Sequence, residues 1–263
     1  MRLRRHAAKY AAFAQLGFRQ AIAEPGELLG RVVFFVLILG VFSAVWRAVA
    51  ETGSVARNPN EMLWYLAMTE WVVMAVPQIF VQMEDDIRRG DVAYQIARPA
   101  SWLGSRFAHG LGTLAFRAPV LLVVACAIAW LFAGPPPHVV GLLEAIGFGV
   151  VAGAVMMIFY LALGVVAFWL GDVMPAYWIW QKLTFVLGGL LLPLQFYPEL
   201  FVRIATLTPF PAFLGGPASM LTAEPLMSGW VLTLALLLWA VVGTTIARAA
   251  FGRAVRRLVV NGG

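Results

Sequence analysis

The chain has 263 residues, 62% of them hydrophobic and only 12% charged, with a mean hydropathy of +0.84 and a formal charge of +6. Apolar content this far above soluble-domain usage makes lipid the solvent for most of the chain and excludes a pair of water-soluble cored domains. A single cysteine, Cys126, excludes intrachain disulfides and multi-cysteine metal centres, and the positive charge reads as membrane orientation rather than nucleic-acid binding.

The first predicted element is basic and amphipathic. Over residues 5–22, Tyr10, Phe13 and Leu16 stand against Arg5, Lys9 and Arg19, a composition suited to a helix lying along the membrane surface. Glu24-Pro25-Gly26 then turns the chain. No apolar core long enough for a signal peptide follows Arg2, Arg4 and Arg5, so a cleavable leader is not expected. Residues 1–30 therefore form a cytoplasmic N-terminal segment.

Six apolar spans are predicted, at about 31–46, 62–81, 114–133, 142–169, 176–196 and 229–250. Each approaches or exceeds the ~20 residues needed to cross a bilayer core. An even number puts both termini, including a tail over 251–263, on one side. That side takes sixteen of the nineteen Lys and Arg residues, and the other holds only Arg47, Arg57 and Arg203. The positive-inside rule makes the richer side cytoplasmic. Trp46, Trp64, Trp130 and Trp230 fall at outer span ends and Trp102, Trp169, Trp178 and Trp180 at inner ends, as an interfacial belt would. Trp71 and Trp239 lie mid-span, where packing is the simplest reason.

Within span two, Glu70 is the sharpest position. A charged carboxylate at mid-membrane costs ~2.5–3.5 kcal/mol on insertion scales, so it should face protein or water rather than lipid. Two readings stand open: a hydrogen-bonded packing residue, or, with Gln78 and Trp71, part of a translocation route. Pro77 should kink the same span just before its inner end. The inner loop 82–110 then concentrates charge of both signs in Glu84, Asp85, Asp86, Ile87, Arg88, Arg89, Gly90 and Asp91. A solvated loop with snorkelling arginines explains this as well as a short helix that docks on a soluble partner. Arg117 and Lys182, near inner span ends, read as anchors.

In span four, Gly149 and Gly153 permit close helix approach, within a subunit or between two. The outer stretch 192–227 carries Pro193, Pro198, Pro209, Pro211, Pro217 and Pro225. Its apolar pieces are too short to cross and too oily for open water, so a broken, partly re-entrant hairpin is expected. The lack of an internal repeat argues against an inverted-repeat carrier. No phosphate-binding Gly-x-x-x-x-Gly-Lys-Ser/Thr occurs, and His6, His109 and His138 lie on separate segments without ligand spacing. The chain is expected to be neither an enzyme nor the holder of a metal or cofactor.

An amphipathic N-terminal helix, six spans, a charged loop after span two and a proline-rich outer hairpin before span six together resemble the membrane subunit of type-2 ATP-binding cassette (ABC) exporters. Ile87-Arg88-Arg89-Gly90-Asp91-Val92-Ala93-Tyr94-Gln95-Ile96-Ala97-Arg98-Pro99 is similar to that family's stretch of I-x-x-G followed by R-P, with seven residues here between Gly90 and Arg98. Thr208-Pro209-Phe210 and Gly216-Pro217-Ala218 are similar to its outer-hairpin pattern. The resemblance implies an all-α membrane permease of a bacterial inner membrane, with Glu84 to Asp91 as a coupling helix seated on an ATPase subunit. It also implies two such ATPases, which bind ATP and magnesium, and a second permease subunit, identical or homologous. Nucleic acid has no place in it. The very short loop 171–175 is a departure that leaves the first loop to transmit most of the motion. Few charges in the spans favour an amphipathic or lipophilic substrate. An ion- or proton-coupled carrier using Glu70 and a membrane scaffold without transport are the alternatives from other classes.

Overall fold

The computed structural model describes residues 2–51, 58–96 and 100–261, and the side chains of 7–51, 58–96 and 100–256. Arg57 and the Arg98-Pro99 pair of the loop motif lie outside them, as do the side chains of Arg2, Arg4, Arg5, His6 and Arg257. Among the described residues all regular structure is helical.

α1 (Arg2–Ala23) carries the amphipathic pattern read from the sequence, but it does not lie free on a surface. It docks along the first half of α6 (below), and glycine makes the approach possible. A Cβ on Gly112 would stand 1.8 Å from the carbonyl oxygen of Ala14, and one on Gly17 would stand 2.1 Å from that of His109. Backbones this close need small residues on both helices. Phe18 closes the seam edge-on to Phe116, with ring centroids 5.5 Å apart.

α2 (Pro25–Glu51) is apolar on nearly all sides and exposes Leu29, Phe34, Leu37 and Val41. α3 (Pro59–Ala75) starts at an Asn58 side-chain cap with Pro59 in the first turn, and it is the buried centre of the fold. Every residue from Met62 to Val72 is buried, because α2, α6 and α7 pack round it. Pro77 interrupts the helix as expected: Val76 before it is extended, and the chain resumes as α4 (Ile79–Arg88). Gly90, with φ of 75°, ends α4 and admits the short α5 (Asp91–Ile96).

α6 (Trp102–Ala133) begins at the Ser101 cap, and α7 (Val139–Leu170) packs against it antiparallel. Gly149 and Gly153 of α7 face Trp71, Val72 and Val76 of α3. The close approach is thus made within the subunit.

The fifth expected span differs. α8 (Met174–Leu187) has 14 residues, about 21 Å of helix against a hydrocarbon core of about 30 Å. Among the described residues five helices, counting α3 with α4 as one, are long and apolar enough to cross a membrane, and α8 is not one of them. Gly188-Gly189 stops α8 inside the protein. The irregular backbone that follows is satisfied by side chains of α3: the Tyr65 hydroxyl donates to the Gly189 carbonyl, and Thr69 Oγ1 donates to that of Leu190 at 2.7 Å. Hydropathy summed over 176–196 cannot register this stop, because leucines continue on both sides of the glycine pair.

Residues 194–224 fold back on themselves. A 3₁₀ turn (Leu194–Phe196) leads to α9 (Glu199–Thr206), α10 (Phe210–Phe213) and α11 (Gly215–Ser219). The two ends of the stretch meet where the Gln195 amide donates to the Glu224 carbonyl at 2.7 Å. Its apex lies deep in the bundle, with Phe210 against Trp180 at 4.9 Å and Phe213 against Phe159 at 5.6 Å. α12 (Gly229–Asn261) then runs parallel to α7, from Phe148 beside Gly229 to Phe168 beside Phe251.

These contacts place the chain ends together. Tyr10 of α1 meets Gly104, and Phe251 of α12 lies 5.3 Å from Trp102, both at the start of α6. We call this the basic end. It also holds α4, α5 and the turn between α7 and α8.

Candidate functional site

Two features are candidates for function, one at the basic end and one half-way along the bundle. At the basic end the charged stretch of α4 divides by direction. Glu84 turns inward: its Oε2 accepts the Val173 backbone N–H at 3.1 Å, just ahead of α8, and its Oε1 pairs with Arg88 at 3.0 Å. Asp86 turns inward too, accepting from Trp102 Nε1 at 3.0 Å and from the Arg106 guanidinium. Ile87 is half-buried against the core. Asp85, Arg88, Arg89, Gly90 and Asp91 remain exposed, and the Asp85–Arg89 pair, at 3.9 Å between two open side chains, contributes little. α5 adds Tyr94, 77% exposed, beside exposed Ile96.

The eight residues singled out in the sequence thus comprise two staples, one packing residue and five that face outward. Tyr94 was quoted only as part of the motif. Its signal was present: an aromatic residue in a charged loop lies opposite Val92, which anchors the short helix.

Half-way along the bundle an open cleft of about 570 Å³ lies between α2, α3 and α8. Glu70, Gln78, Tyr177, Gln181 and Arg31 supply its polar lining, and Phe34, Val73 and Phe185 its apolar one. The side-chain amides of Gln78 and Gln181 both donate to the Tyr177 hydroxyl oxygen, at 2.7 and 3.0 Å. Arg31 pairs with Glu27 at 2.7 Å and donates to the Met74 carbonyl, which the Pro77 break has freed from the helix ladder. Glu27 also pairs with Arg117. Glu70 is 4% exposed, and none of the described groups hydrogen-bonds its carboxylate. The cleft combines an unpartnered acid, a phenol, two amides and aromatic edges. It is equipped to hold a molecule with both polar and apolar parts.

Of the three route residues expected from the sequence, Glu70 and Gln78 share this cleft and Trp71 does not. Trp71 points the opposite way, its indole N–H donating to the Ala118 carbonyl at 2.8 Å and its ring filling the space over Gly149. Arg117, expected to anchor at an interface, is instead buried against Glu27. Lys182 lies 5.8 Å from the rings of Trp178 and Phe185. Tyr177 and Gln181 were missed. One helical turn apart on α8, they were a polar stripe in an apolar run.

A protein-family model described as ABC-2 family transporter protein matches residues 31–262, from early in α2 to the end of α12. α1 lies outside the match. Comparison with curated proteins gives no match.

Proposed function

Because the chain belongs to the ABC-2 family of transporter membrane proteins, we propose that it is the permease subunit of an exporter driven by separate ATPase chains. Two permease subunits, identical or homologous, would form the substrate path between them. Two ATPases would dock at the basic ends, on the cytoplasmic side of a bacterial inner membrane, an orientation that the charge asymmetry supports. α8, the residues after it and the 194–224 hairpin together supply the sixth crossing, the hairpin being re-entrant from the outer side. The satisfied backbone at Gly189 and Leu190 and the deep seat of Phe210 support that reading. An amphipathic or lipophilic substrate suits the mixed lining of the cleft.

One observation carries the coupling role. Glu84, on the helix that offers Asp85, Arg88, Arg89 and Asp91 outward, receives a hydrogen bond from the backbone at the start of α8. α8 in turn forms one wall of the cleft through Tyr177 and Gln181. A partner that moves α4 therefore pulls on the cleft. ATP binding would act by favouring one of two arrangements of this linkage.

The test is purification of the tagged chain from native membranes in mild detergent, with mass spectrometry of what accompanies it. Co-purification of a soluble chain bearing a Gly-x-x-x-x-Gly-Lys-Ser/Thr motif in near-equal amount is the expected result. Recovery of the permease alone, under conditions that keep other membrane complexes intact, would count against the exporter and in favour of a carrier working through Glu70.

A further inference from the structure

Two more cavities lie between the cleft and the basic end, and each shares its walls with the next. The first, about 430 Å³, lies beside Asp85 and Arg89 and is also lined by Gln20, Gln82 and His109, which we term the neck because the next space shares them. The same three residues begin a second cavity of about 220 Å³, which runs inward between α1, α4 and α6. That cavity ends at Glu27, Arg31 and Gln78, and these three are also walls of the cleft that holds Glu70. Polar side chains therefore line three adjoining open spaces between the basic end and the Glu70 carboxylate of α3, with Gln20, Glu27 and Gln78 exposed at their shared walls.

We propose that this series is a water-filled access route, contained within one subunit, by which Glu70 exchanges water and protons with the basic-end compartment. The volumes exceed what single waters need, and each cavity offers several hydrogen-bonding groups, the two conditions for stable hydration. The route explains how an acid without a hydrogen-bonding partner is tolerated at this depth: it faces water rather than lipid. Arg31 and Glu27, with Arg117 paired to Glu27, stand at the wall shared by the second cavity and the cleft. Glu27, Arg31 and Tyr177 are the other charged or titratable groups that line the cleft with Glu70. α1 closes one side of the neck through Gln20, whose amide oxygen lies 3.1 Å from His109 Nε2. The N-terminal helix is thus a wall of the route.

The inference rests on the membrane placement proposed above, and labelling in sealed vesicles separates the two. A membrane-impermeant carbodiimide with an amine nucleophile is applied to one face at a time, and the peptide containing Glu70 is read by mass spectrometry. Protease access to a C-terminal tag reports in the same vesicles which face carries the termini. Labelling of Glu70 from the terminus-bearing face is expected, with Glu70→Gln as the blank. It should fall severalfold in Gln82→Trp and in Gln20→Trp, which fill the neck from different helices without touching α3. Labelling from the opposite face, labelling only by a lipid-soluble carbodiimide, or rates unchanged from the native chain in both tryptophan variants would each overturn the route. Termini found on the outer side would overturn the orientation and leave the route to be judged by its neck variants.

Discussion

Removing the Asp86 carboxylate would strand two donors at once, the Trp102 indole and the Arg106 guanidinium. Because both lie against the buried face of α4, Asp86→Ala should cost about 2–3 kcal/mol and lower the melting temperature measured in nanodiscs. Asp85, one residue away, faces outward, so Asp85→Lys should leave the melting temperature within error while weakening ATPase association. Equal melting losses in the two variants would remove the distinction. Successive residues of a helix point about 100° apart, which the charge run alone does not resolve. The same rotation separates Glu70 from Trp71. An isolated carboxylate in an apolar span was legible as a site in the sequence. Its partners were not, because Tyr177 and Gln181 reach the cleft from a helix about a hundred residues away.

Helix positions were largely legible from apolar run length, and helix contacts were not. The amphipathic pattern of α1 fits a helix resting on lipid as well as one resting on protein, and what decides is a set of glycines with no periodic signature. Gly112 shows how strict that seam is: an added methyl group would overlap the Ala14 backbone, which no rotamer change relieves. Gly112→Ala should therefore destabilise by about 1–3 kcal/mol and expose α1 to protease, whereas Gly147→Ala in α7, where the space is open, should do neither. Trypsin cleavage at Lys9 and Arg19 reads the difference, and unchanged cleavage in Gly112→Ala would show α1 to be held by other contacts. α8 is the complementary case. Its hydropathy promised a full span, and a glycine pair, with α3 side chains waiting for the released carbonyls, ended it early.

At the scale of the whole molecule, the charge asymmetry and the packing point to the same end of the bundle. The sequence put sixteen basic residues on one side, and the aromatic contacts of α1, α6 and α12 bring both ends of the chain to that side. One link between this end and the cleft is the hydrogen bond from Val173 to Glu84, and it makes a prediction that separates docking from transmission. Glu84→Gln keeps an oxygen that accepts the Val173 N–H and loses only the pair with Arg88, whose side chain is 61% exposed. An ion pair with so open a partner is worth little, so the glutamine variant should transport normally. Glu84→Ala removes the acceptor and detaches the start of α8 from the end of α4, leaving Phe80 of α4 packed 4.5 Å from Tyr177 of α8. It should still bind its ATPase through the exposed face of α4 and α5, yet lose the stimulation of ATP hydrolysis by substrate. Substrate-stimulated hydrolysis preserved in the alanine variant would mean that motion reaches the cleft another way. The ring contact of Phe80 with Tyr177, the hydrogen bond from Gln78 to Tyr177, and the break at Pro77 that joins α4 to the rest of its own span are the other mechanical connections between them.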